Sequence, residues 1–164
     1  MDVDPLPSSA LGAVIGLLEY LDDIGGQEDV YRVATALRME LDDLLPVLNA
    51  GKVLGFFNVS KGDVAMTELG RDFLMSDVNG RKRIVCKQLK KLPLFQDITE
   101  TLKKRRNKRA PKDYFLELFE KKLPEDEAER LLKTVIDWGR YGELIGYNED
   151  ADELYLDEEG QLTC

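Results

Sequence analysis

Histidine is absent from this chain. Its absence removes Ser-His-Asp and Cys-His catalysis, the commonest general base near neutral pH, and most zinc and haem sites. Cysteine is scarce as well: Cys86 and Cys164 lie far apart and form no CxxC motif. They read as thiols of a reduced cytoplasmic protein, with Cys164 loose at the terminus. The longest apolar run, Ala10 to Leu18, is too short to span a bilayer. It follows Asp2 and Asp4 rather than a positive segment, so it is not a secretory leader. In that setting Asn58-Val59-Ser60 is a chance match to the glycosylation sequon. No spacing of carboxylates fits a calcium loop, and no metal, cofactor or catalytic set is expected.

What is present is a chain of 164 residues, 43% apolar and 34% charged, with 23 basic and 32 acidic side chains. Such a composition folds without disulfide or metal. The net charge of -9 argues against polyanions until it is divided. Residues 1–80 carry -9, residues 81–112 carry +11, and residues 113–164 carry -11. Two acidic lobes flank a basic connector.

Periodicity reads the first lobe, residues 1–78, as helices followed by a hairpin. Leu11, Val14, Ile15, Leu18 and Leu21 make one buried stripe, capped by Ser8 or Ser9 and ended at Gly25-Gly26. Asp29 caps a second helix. A third has an acidic first turn (Glu40, Asp42, Asp43), with Leu44, Leu45, Leu48 and Val53 as core candidates and Pro46 in its first turns. Phe56 to Val59 and Val64 to Thr67 flank Ser60-Lys61-Gly62-Asp63 as a hairpin, and Thr67 opens a further helix. Residues 79–92 read as a basic connecting helix with Ile84, Val85 and Leu89 inward.

The second lobe, residues 93–164, repeats that order. It has a stripe of Leu94, Phe95, Ile98 and Leu102, then a loop from Asn107 to Ala110. Helices start at Pro111 and Pro124, and a second hairpin surrounds Asn148 to Asp152. The expected class is mainly α with small β-hairpins, as tandem winged helix-turn-helix lobes.

Several strings carry a family resemblance. They are Leu17-Leu18-Glu19, Asp42-Asp43-Leu44-Leu45-Pro46, Leu54-Gly55-Phe56, Leu69-Gly70-Arg71 and, most specific, Ile136-Asp137-Trp138-Gly139-Arg140-Tyr141. In order and spacing, from about residue 6 to residue 156, the chain resembles the AAA-associated C-terminal domain. That domain follows the nucleotide-binding domain of ATP-binding-cassette ATPases of nitrate, sulfonate and taurine transporters. The resemblance implies a non-catalytic regulatory or interaction module in the cytoplasm, with such an ATPase or a transporter subunit as partner. The chain starts at Met1, where the module starts, so the expectation is a free-standing relative or a piece of a longer protein. It has no Walker motif of its own: Lys52 follows Gly51, but Pro46 and Val53 stand where a P-loop needs Gly and Ser or Thr.

Two sets of contact residues are expected. Arg140 and Tyr141 are candidates for the partner ATPase, beside Trp138 as core and Gly139 as a close-packing position. Arg81, Lys82, Arg83, Lys87, Lys103, Lys104, Arg105 and Arg106 are candidates for a polyanion. The alternative reading is a DNA-binding transcriptional regulator using residues 81–112. It is less favoured, because carboxylates (Glu40, Asp42, Asp43; Glu125, Asp126, Glu127) occupy the first turns of both third helices, where phosphates would sit. Nor do aromatics interleave with the basic residues as a single-strand platform requires. Membrane insertion is not expected, and self-association through the hairpins is open.

Overall fold

A computed structural model describes residues 3, 5–158 and 164. The chain divides into two compact units, Pro7–Gly80 and one built on residues from Arg81 onward. Helix predominates, with two small antiparallel sheets.

The first unit runs α1 (Leu11–Asp23), β1 (Gln27–Asp29), α2 (Val30–Leu37), α3 (Leu41–Val53), β2 (Phe57–Ser60), β3 (Asp63–Met66) and α4 (Glu68–Met75). Helix α1 buries Leu11, Val14, Leu17, Leu18 and Leu21, a one-sided stripe of helical period. The expected serine cap does not form. Ala10 is the N-cap, and the Ser9 hydroxyl donates to the Ala10 carbonyl (3.1 Å). Gly25 and Gly26 (φ 102° and 95°) turn the chain out of the helix, and the Gly26 amide donates back to Leu21 O. The Asp29 carboxylate caps α2 by accepting from the Arg32 amide (3.1 Å). Thr67 caps α4 through the Gly70 amide (3.0 Å).

Helix α3 corrects two core assignments. Its buried face is Leu44, Val47, Leu48, Ala50 and Gly51, while Leu45 and Val53 are exposed. At 100° per residue Leu45 points well away from Leu44, so hydrophobicity and burial separate here. Pro46 is the sixth helical residue, past the first turn, and lacks the N–H that would reach the Asp42 carbonyl.

The expected hairpins are present, but each belongs to a three-stranded sheet. In the first, the order is β1-β3-β2, with Val64 opposite both Glu28 and Val59. Strand β1 has three polar residues, too few for an alternation signal.

In the second unit, α5 (Val78–Lys90) carries the chain in from the first and buries Val85, Cys86 and Leu89. Then follow α6 (Pro93–Lys104), β4 (Arg109–Pro111), α7 (Lys112–Glu120), α8 (Glu125–Tyr141), β5 (Ile145–Asn148) and β6 (Glu153–Leu156). The sheet order is β4-β6-β5. Strand β4 takes in Ala110 and Pro111, read from sequence as a loop end and a helix start. Trp138, Phe95, Phe115 and Phe119 are fully buried and form the core.

The units share more than element order. In both, a glycine carbonyl in the last turn of the third helix accepts from the residue just before the first hairpin strand: Gly51 from the Phe56 amide, Gly139 from the Leu144 amide. In both, the next turn has a left-handed residue, Gly55 (φ 85°) and Glu143 (φ 54°). In both, the second helix starts with an amide donating to the hairpin tip, Val30 to Gly62 O and Lys112 to Asp152 O (2.8 Å each).

Cys86 and Cys164 are joined as a disulfide, their Cα atoms 6.0 Å apart across 78 residues of sequence. The expectation of two free thiols with a loose Cys164 is therefore corrected. Folding brings the pair together, and the Lys90 ammonium donates to the Cys164 carbonyl (2.8 Å).

Candidate interaction groove

Helices α7 and α8 and strand β5 enclose a groove of about 660 Å³ on the second unit. Leu116, Leu132 and Ile136 supply its apolar lining. Glu129, Leu132, Lys133, Ile136 and Arg140 reach it from α8 because spacings of three and four keep them on one helix face. Lys112 and Asp113 enter from the first turn of α7, and Tyr147 and Glu149 from the hairpin.

The rim thus carries three cations and three carboxylates. None of the six makes an ion pair with another described residue. Tyr147 donates its hydroxyl to the Asp152 carboxylate. That hydrogen bond, with burial and the charges of Glu149 and Asp113, holds the phenol above its ordinary range and keeps it protonated. Apolar lining with unpaired charges of both signs suits a polypeptide that brings its own apolar groups and counter-charges. Among the described residues no cluster of His, Cys, Asp and Glu could hold a metal ion. No helix of the described residues is long and apolar enough to cross a membrane.

Arg140 lies in this groove. Tyr141, its neighbour in sequence, does not line it. Burial raises the Tyr141 phenol above its usual value, against the pull of Arg81 and Lys82. The polyanion candidates are dispersed. Arg81, Lys82, Arg83 and Lys87 belong to α5, with Lys82 paired to Glu143 (2.7 Å). Lys103 and Lys104 end α6, exposed, and Arg106 is exposed in the following turn. The Arg105 guanidinium lies 4.8 Å from the centre of the Tyr114 ring, a cation–π contact within the unit. Two more of that run are answered within the unit, Lys108 by Glu158 (3.5 Å) and Arg109 by Glu153 (3.7 Å).

Sequence reading missed Lys112, Glu129, Lys133 and Tyr147 as groove residues. The row 129, 132/133, 136, 140 was the available signal, but nothing local distinguishes it from a solvated helix face. In comparison with known proteins, the C-terminal AAA-associated domain family matches residues 31–148, more than half of the chain, from α2 to the end of β5. No curated protein matches, and no solved structure does. On that match, the chain belongs to the C-terminal AAA-associated domain family.

Proposed function

We propose that the chain is a non-catalytic regulatory and interaction module for an ATP-binding-cassette transporter ATPase or transporter subunit. It works in the cytoplasm and is built from two winged helix-turn-helix lobes. Its family is one of ATPase-associated domains rather than catalytic ones. The repeated order helix–strand–helix–helix–hairpin, with the first strand added beside the last, supports the winged-helix reading.

The observation that carries the proposal is the groove, with six charges that pair with no described residue around Leu116, Leu132 and Ile136. It lies where the second helix, the third helix and the hairpin of this unit meet. Arg140 and Lys133 are the partner contacts we assign there. The test is co-purification of the tagged chain from its native cell. An ATP-binding-cassette ATPase should be recovered with the wild type and lost with Lys133→Glu/Arg140→Glu, while the melting temperature is unchanged. Failure to recover any ATPase or transporter subunit, together with tight duplex DNA binding at physiological salt, would overturn it.

The DNA-binding alternative draws support from Lys103, Lys104 and Arg106, which are exposed beside the Arg105–Tyr114 stack. If those three met phosphates, log K would fall against log salt with a slope of about −3. Against it stand the exposed carboxylates Asp42, Asp43, Glu125, Asp126 and Glu127 in the first turns of α3 and α8. The absence of a retarded band at low salt in a mobility-shift assay would dismiss it.

A further inference from the structure

We propose that the first unit carries a second, apolar docking surface on the face equivalent to the groove, and that it takes an amphipathic helix of a protein partner with Lys or Arg beside its apolar stripe. The equivalence comes from the shared backbone hydrogen bonds at the third-helix end and hairpin tip. It sets Tyr31 at the position of Asp113, Leu45 at that of Lys133, and Val59 at that of Tyr147. Three groove positions that are charged or polar in the second unit are therefore apolar in the first.

All three are exposed: Tyr31 at 68%, Leu45 at 40% and Val59 at 37%. Val59 sits directly opposite the buried Val64, on the sheet face turned to the helices, as Tyr147 sits opposite the buried Leu154. Leu44 and Leu48, at the positions of the groove's Leu132 and Ile136, are buried. Exposed apolar side chains grouped on one face mark an interaction surface, whereas scattered single ones do not.

Charge selects the occupant. Asp42 and Asp43 are exposed in the first turn of α3, next to Leu45, and neither makes an ion pair with another described residue. Residues 7–80 hold 5 basic against 12 acidic side chains. A partner that buries Tyr31, Leu45 and Val59 gains by bringing cations to the start of α3. A helix places apolar residues on one stripe and cations on its edge. A second copy of this chain is a poor source, because its basic helices α5 and α6 already bury their apolar faces (Val85 and Leu89; Leu94, Phe95 and Ile98).

The inference rests on the interaction-module reading only in assuming a protein partner, and its test needs no ATPase. The probe is a synthetic helix of about 18 residues with Leu at i, i+3, i+4 and i+7 and Lys along both edges. The control has Glu in place of Lys. In an amide NMR titration of the full chain, the Lys peptide should shift Tyr31, Leu45 and Val59 and bind about tenfold tighter than the Glu peptide. Leu45→Glu should weaken it by about tenfold. Tyr31→Ser, at a more exposed site that tolerates change, should do so with an unaltered melting temperature. Shifts confined to the second unit, or equal affinity for both peptides, overturn the proposal. So does a dimer by light scattering that Leu45→Glu dissolves, because a second copy then covers the face. Failure to recover an ATPase from cells would count against the functional reading and leave this surface standing.

Discussion

Glycines 51 and 139 have the same job in the two units, and neither site has room for a methyl group. A Cβ on Gly51 would collide with Phe57 Cδ2, and one on Gly139 with Ile145 Cγ1. Phe57 and Ile145 are both buried, and Cγ1 is set by the stiff χ1 of a β-branched residue. Gly51→Ala and Gly139→Ala should therefore each destabilise by about 1–3 kcal/mol, as read from urea midpoints at constant slope. At Tyr147 the bond to Asp152 makes its own prediction. A tyrosine whose folded pKa is raised contributes stability below its unfolded value of about 10 and loses it as pH rises through the folded value. Ultraviolet titration should find one phenol ionising late through this bond, and Asp152→Asn should bring it earlier.

Elements are held by caps as well as by buried stripes. The Thr67 hydroxyl accepts from the Gly70 amide and donates to the Gly55 carbonyl (2.6 Å), joining the start of α4 to the entry of the hairpin. Thr67→Ala should cost about 1–2 kcal/mol, the upper part of the capping range, because both bonds go. This cap and that of Asp29 were legible in the sequence, since a capping side chain acts within three residues of itself. The Ser8 or Ser9 cap of α1 was not, because the helix starts past both serines and Ala10, which has no capping group, stands at the cap position. Strands β1 and β4 were also hidden. Three residues show no period, and their pairing is made by β3 and β6, more than thirty positions away.

At the scale of the molecule, the disulfide joins two residues of the same unit. A crosslink closing a loop of this length stabilises by about 4 kcal/mol on the chain-entropy estimate. Calorimetry of the oxidised protein should show reduction lowering the transition of the second unit while that of Pro7–Gly80 stays put. A shift of both would mean that the units unfold together.

The sequence by itself determined the helical class, the order of the helices and hairpins in both units, and the family. Those depend on period, on local caps and on residue types, which act over a few positions. Only the tertiary structure decided which charges are answered and which remain open. Lys82, Lys108 and Arg109 meet carboxylates of their own unit, while Lys133 and Arg140 meet none among the described residues. It likewise decided that Leu45 faces outward while Leu44 is buried, and that Cys86 finds Cys164. Pairing and burial are properties of distance in space, and residues far apart along the chain carry no local sign of it.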